Sequence, residues 1–193
     1  MCSPIGHGLA GIAVGLILRP GFKGGFSFSL YLYAFFSANV PDLDFLPGLL
    51  IGDINRWHHS YSHTLFAALL YTVLALLAAR GFGIKKWRLV GWLSLIPYLS
   101  HLLLDYLSLD RGAPFGIPLL WPLSDDYFYS ELLLFGAIDH GGFGATNTEA
   151  LIDIFSYANL LVITRELLIL GLLIGSIVTL KTIYSRSRPN QDQ

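Results

Sequence analysis

The chain has 193 residues, 54% of them hydrophobic and only 13% charged, whereas a soluble domain carries about 25% charged residues. A net charge of −1 offers nothing to nucleic acid or to an acidic partner. A single cysteine, Cys2, excludes an internal disulfide and any cysteine-rich zinc site.

In chain order, the opening MCSPIGHG lacks a basic n-region, and the apolar stretch behind it is short and ends at Arg19. It reads as part of the mature protein rather than as a cleaved signal. Five apolar stretches then stand out, at 8–18, 26–40, 64–79, 89–107 and 153–180. None alternates with period two, and Gly and Pro fall mainly between them, so helices are expected. A full membrane span takes about 20 residues. The fourth and fifth stretches meet that, the second and third fall slightly short, and the first is clearly short.

Charge sorts the ends of these helices. With alternating directions, one side receives Arg19, Lys23, Arg80, Lys85, Lys86, Arg88, Lys181, Arg186 and Arg188, nine of the twelve basic residues. The other side keeps Arg56, Arg111 and Arg165, and all acidic residues except Asp192. Basic excess marks the cytoplasmic face. The expectation is an all-α integral membrane bundle of about five helices, with its N-terminus outside and its C-terminus in the cytoplasm. Residues 1–184 form one domain with an outer loop region at 110–152, and 185–193 form a polar tail. The lipid bilayer is the partner this implies.

That topology gathers the polar residues. His7 precedes the first helix, and Asp42 and Asp44 in NVPDLDF follow the second. His58, His59 and His63 in RWHHSYSH introduce the third, and His101 and Asp105 in SHLLLDYL close the fourth. Four segments thus deliver ligand-type side chains to one non-cytoplasmic end. His101 and Asp105 are four apart and share a helix face, as would a helical His59 and His63. His58 and His63 would lie about 140° apart if both were helical, so His58 joins His63 only from a loop. Singly, each group also fits a local His–Asp bond or turn chemistry. Together, close to hydrocarbon, they mark a functional site. Imidazoles with carboxylates and no thiolate suit zinc, manganese or iron, and their number exceeds the three or four ligands of one zinc. More than one ion is expected. Such clusters acidify a bound water and clamp the oxygens of a phosphoryl group.

The ordered set of GH near the N-terminus, PDLD, H-x-x-x-x-H before an apolar helix, and SHLLLD leading into G-x-PLLWP resembles the LexA-regulated, membrane-bound metal-dependent hydrolase family over about residues 6–124. More distantly it is similar to zinc-dependent phospholipase C and single-strand nucleases. The resemblance implies a metal shell of His7, Asp42, Asp44, His58, His63, His101 and Asp105. Asp44, His59 and Asp105 are expected in catalysis, and His59 and Trp121 in substrate binding. Where the family usually reads H-R-G, this chain has His58, His59 and Ser60, so a bidentate arginine grip on phosphate is lost.

Asp125, Asp126, Glu131, Asp139 and His140 fall in the outer loop and read as solvated or as a rim to the site. Arg165 and Glu166 interrupt the last stretch about 12 Å in and call for partners elsewhere. A metal-dependent hydrolase acting on a phosphoester or related ester, from an amphiphilic, phospholipid-like substrate, is the leading expectation. An ion-handling membrane protein or transporter without catalysis is the alternative, though no internal repeat of the transporter kind is found.

Overall fold

A computed structural model describes residues 1–18, 28–112, 114–142 and 144–187. Arg19, Lys23, Arg188, Asp192 and the start of the second apolar stretch lie outside them. Among the described residues there are seven α-helices and no strand: α1 (Pro4–Leu18), α2 (Phe28–Ala38), α3 (Phe45–Ile51), α4 (Leu65–Gly81), α5 (Trp87–Tyr106), α6 (Asn147–Ile154) and α7 (Tyr157–Arg186). The five expected helices are joined by two short ones, α3 and α6. The fifth stretch is split at Phe155 and Ser156, where the Ser156 hydroxyl caps α7 by accepting from the Asn159 N–H. By length and apolar composition only α7 qualifies as a membrane span, while α1, α2 and α4 are shorter apolar helices. The expectation of five spanning helices is therefore not met by length. α7 continues to Arg186.

The centre of the bundle is α1, which packs on α2, α5 and α7, while α5 also packs on α2 and α4. The sequence PIGHGLAGIAVGLIL explains the choice, since its buried face is mostly Gly and Ala. Small residues let helix backbones approach closely where lipid leaves no hydrophobic drive between helices. A Cβ on Gly11 would run onto the Ala34 carbonyl and come within 2.9 Å of the Ala38 Cβ. On Gly8 it would strike the Phe35 ring. Polar contacts also link the helices: Tyr33 of α2 with Ser94 of α5 at 2.6 Å, and Ser37 of α2 with Tyr71 of α4 at 3.0 Å.

Directions follow from the contacts. Ser3, just before α1, bonds Glu166 early in α7, and Lys181 late in α7 reaches the carbonyl of Leu16 at the far end of α1. Those two helices are parallel. At the end where α1, α4 and α7 begin, α2 and α5 finish. Most of α7 is exposed apolar surface, with Asn159, Glu166 and Leu170 as its buried stripe. Glu166 finds the remote partner its burial requires, and Arg165 lies exposed.

Gly11→Val drives two methyls into the α1–α2 contact and is expected to cost about 1–3 kcal/mol, read as a lower thermal midpoint in detergent. Gly175→Val, where a Cβ meets nothing within 4 Å, is expected to stay within about 0.5 kcal/mol of wild type.

Candidate metal centre

Four pieces of backbone build the polar end. After α2, Pro41 opens a 3-10 turn over Pro41–Asp44, which carries Asp42 and Asp44. The run before α4 is a chain of turns, so His58, His59 and His63 are all loop residues. The shared helical face considered for His59 and His63 does not exist, and His58 meets the condition for approaching His63. Thr64 fixes the junction, donating its hydroxyl to the Tyr61 carbonyl and accepting from the Ala67 N–H, both at 3.0 Å. His101 and Asp105 lie on one face of α5 and His7 in the first turn of α1, all buried.

Four donor atoms converge. His63 Nε2 and His101 Nε2 are 3.1 Å apart. Asp105 Oδ2 lies 3.5 Å from the first and 3.0 Å from the second. Asp42 Oδ1 lies 3.7 and 3.6 Å from them. His7 is set beside this group, its ring stacked on His101 at 3.6 Å and its Nε2 3.3 Å from the other Asp105 oxygen. Both Asp42 oxygens, Asp105 Oδ2 and both His7 nitrogens are buried without a hydrogen-bond partner, and buried polar atoms are rarely left so.

The outer nitrogens define the inner ones. His101 Nδ1 donates to the Ala38 carbonyl at 2.7 Å, which leaves a neutral ring with a bare Nε2. His63 Nδ1 faces Asp44 Oδ2 at 3.1 Å, and Asp44 Oδ1 accepts from His58 Nδ1 at 3.0 Å. Ser62 donates to Asp44 as well, and Tyr98 holds the Ser62 carbonyl. Asp44 thus sits on the Nδ1 edges of two histidines, away from the four converging atoms. His58 Nε2 points elsewhere, toward Met1 and His140.

A cavity of about 300 Å³ is lined among others by Met1, Arg56, His59, Asp110, Arg111 and His140; it meets the cluster through His58 and His59 rather than through the four converging residues. His59 is one of the lining residues. Its backbone has φ 58, a conformation that costs a non-glycine residue of order 1–3 kcal/mol and that clusters at functional sites. Its ring lies between Asp110, 3.5 Å from Nδ1, and Asp105, 3.9 Å from Nε2. Trp121 is not brought to this cavity, and instead packs its ring on Tyr61 and Phe66.

Sequence reasoning missed four contributors. Met1 is buried beside the histidines, and Cys2, read as a bystander, donates its backbone N–H to Asp105 Oδ1 at 3.2 Å. Asp110 holds His59 while accepting from the N–H groups of Gly112 and Gly116. Asn55 accepts from His140 Nδ1 at 2.7 Å. None of the four carries a motif.

Electrostatics separates the histidines. Burial and the neighbouring His59 push His58 down to about 3, with Asp44 offsetting only part. Burial also pulls on His63, but Asp105, Asp42 and Asp44 outweigh it, and His63 holds its proton well above the ordinary imidazole range. Burial raises Asp44 and the two imidazoles more than reverse that, so it stays ionised far into acid. Burial and the terminal ammonium lower His140.

Apolar helices thus gather a buried cluster of imidazoles and carboxylates at one end of an all-helical bundle. The chain belongs to the YdjM inner membrane protein family, whose model matches residues 1–186. No curated protein and no solved structure matches it significantly.

In metal-free protein, imidazole ¹⁵N shifts are expected to show His58 neutral from about pH 5 to 8, the range in which an unperturbed histidine titrates. His63 is expected to stay protonated above the usual value of about 6.5, and Asp44→Asn to lower it.

Proposed function

We propose that the protein is a membrane-embedded, metal-dependent hydrolase of a phosphoester or related ester, working at the outer face of the membrane. The single observation that carries this reading is the set of four donor atoms, His63 Nε2, His101 Nε2, Asp42 Oδ1 and Asp105 Oδ2, with mutual separations of 3.0–3.7 Å where they are resolved. A tetrahedron with metal–ligand bonds of about 2.0–2.1 Å has edges of about 3.3 Å. The unpartnered carboxylate oxygens fit the same reading, because a buried anion without hydrogen bonds needs a cation.

Zinc suits two imidazoles and two carboxylates, with manganese and iron as further fits. His7 and the second oxygen of Asp105 extend the donor set toward a second ion. A bound divalent ion supplies Lewis acidity toward a phosphoryl or carbonyl oxygen. Asp44 orients His63 and strengthens it as a ligand. His59, with Nδ1 against Asp110 and Nε2 buried and unpaired, is the group placed to pass a proton to a leaving oxygen. Arg56 and Arg111 at the cavity wall offer charge to an anionic substrate in place of the missing family arginine.

The excess of Lys and Arg at the other end of the bundle supports an external site. Position at the end of a lipid-embedded bundle supports an amphiphilic substrate. The whole chain then acts as one membrane-embedded unit, with the segment around 110–142 roofing the site.

Detergent-purified wild type is expected to hold about two equivalents of zinc, manganese or iron, with His101→Ala and Asp105→Ala losing most of them. Asp44→Asn is expected to weaken binding about 10–100-fold. Because the His63 proton and a metal compete for Nε2, affinity is expected to rise with pH through and above the ordinary imidazole range, by up to about tenfold per unit. Hydrolysis of phospholipid or bis(p-nitrophenyl) phosphate is expected to track metal content. A wild type that stays metal-free after supplementation overturns the reading. A loaded protein inert toward all ester substrates would instead favour ion handling.

A further inference from the structure

The end of the bundle away from the histidines carries a tightly built basic turn. The Gly83 N–H closes α4 on the Arg80 carbonyl at 3.1 Å and the Ile84 N–H on the Ala79 carbonyl at 2.9 Å. Gly83 supplies the left-handed φ of 67 that this paired closure takes. The turn leaves Phe82 86% exposed, with Ile84 exposed beside it. Arg80, Lys85, Lys86 and Arg88 flank these two, and all four are exposed. The Arg80 and Arg88 guanidinium carbons each lie 5.1 Å from the centroid of the Trp87 ring, within cation–π range. Sharing one ring, the two cations stand no farther apart than about 10 Å, one Debye length at about 0.1 M salt.

The chain around this turn does not answer its charge. From 54 to 104, which covers α4, the turn and most of α5, the sequence has no Asp or Glu. α5 begins with no acidic residue in its first turn and no side-chain cap. Lys85, Lys86 and Arg88 therefore crowd the positive end of its dipole, where anions are favoured and cations are not. The hydrocarbon beside the cations decides which anion fits. α4 presents Val73, Leu74 and Leu77 to its surroundings, so an exposed apolar row runs along that helix up to Phe82. A phospholipid answers both features at once, with its phosphate at the cations and its acyl chains along the apolar row. We propose that the 80–88 turn binds anionic phospholipid headgroups in the leaflet on the basic side of the bundle. Arg80 and Arg88, set by Trp87, take the phosphate, Lys85 and Lys86 add attraction for acidic lipid, and Phe82 seats among the acyl chains. The site lies at the opposite end from the His63–His101–Asp42–Asp105 group and stands with or without hydrolase activity.

Full-length protein is placed in mixed micelles with equal amounts of phosphatidylglycerol and phosphatidylcholine bearing identical acyl chains. Native mass spectra are expected to show bound phosphatidylglycerol enriched by a factor on the order of 10. Arg88→Gln is expected to cut that enrichment about fivefold, and Arg80→Gln combined with Arg88→Gln to abolish it. Arg165→Gln, which removes the same charge from the exposed face of α7, is expected to keep it. Hydrogen exchange on wild type gives an answer that no variant's folding can disturb. The amides of the turn are expected to slow in phosphatidylglycerol, but not in phosphatidylcholine, soluble glycerol phosphate or polyglutamate. A wild type that takes up both lipids equally overturns the proposal. Protection by glycerol phosphate overturns it in favour of a soluble anion, and protection by polyglutamate in favour of an acidic protein. An Arg165→Gln loss as large as that of Arg88→Gln also overturns it, because net charge alone then sets the preference.

Discussion

A carboxylate with no water to fall back on organises this molecule. The Asp105 side chain is fully buried, and stripping such an ion of solvent costs several kcal/mol unless neighbours replace the water. Residues from all over the chain surround it: its Oδ1 takes the Cys2 N–H and faces His7 from α1, while its Oδ2 lies among His63 from the loop before α4 and His101 one turn back on α5. No neighbouring pair of segments supplies enough. The start of α1, the end of α5 and the turn chain are held at one point because that charge has to be answered there.

Helix ends supply the second part of the arrangement. The last carbonyls of a helix have no partner within it, and the end of α2 gives one of them, at Ala38, to His101 Nδ1. An otherwise orphaned acceptor thereby decides which nitrogen of His101 faces the cluster. This works because α1 and α2 lie close enough, through Gly11 and Ala34, for the end of α2 to sit beside α5 and the His7 ring. The glycines of the first helix thus help to set the geometry of the polar end.

Much of this was legible in the sequence. The helices carrying His7, His101 and Asp105 were found from apolar runs. Alternating directions put the right ends together, because hydrophobic length and charge bias are properties of each segment alone. The backbone of the RWHHSYSH run was not legible, since left-handed φ at His59 and a late start of α4 depend on tertiary contacts. Asp44 and Asp42 look alike in PDLD, yet two residues along a 3-10 turn place one against Nδ1 edges and the other against Nε2 atoms. Met1, Cys2, Asn55 and Asp110 carry no motif, and their roles exist only once distant loops meet. The short helices α3 and α6 and the break at Ser156 escaped because a capped two-residue interruption hardly alters an apolar average.

The pairing of Ser3 with Glu166 spans 163 positions of sequence, and it sits directly before the helix that carries His7. In a chain made and inserted from its N-terminus, the first helix reaches the membrane long before the residue that secures its beginning has been synthesised. The anchor for His7 is consequently the last helix to arrive. The chain closes upon itself as a clasp, its polar end held by residues 163 positions apart. Until Glu166 arrives, His7 is present with nothing from that helix fixing its position.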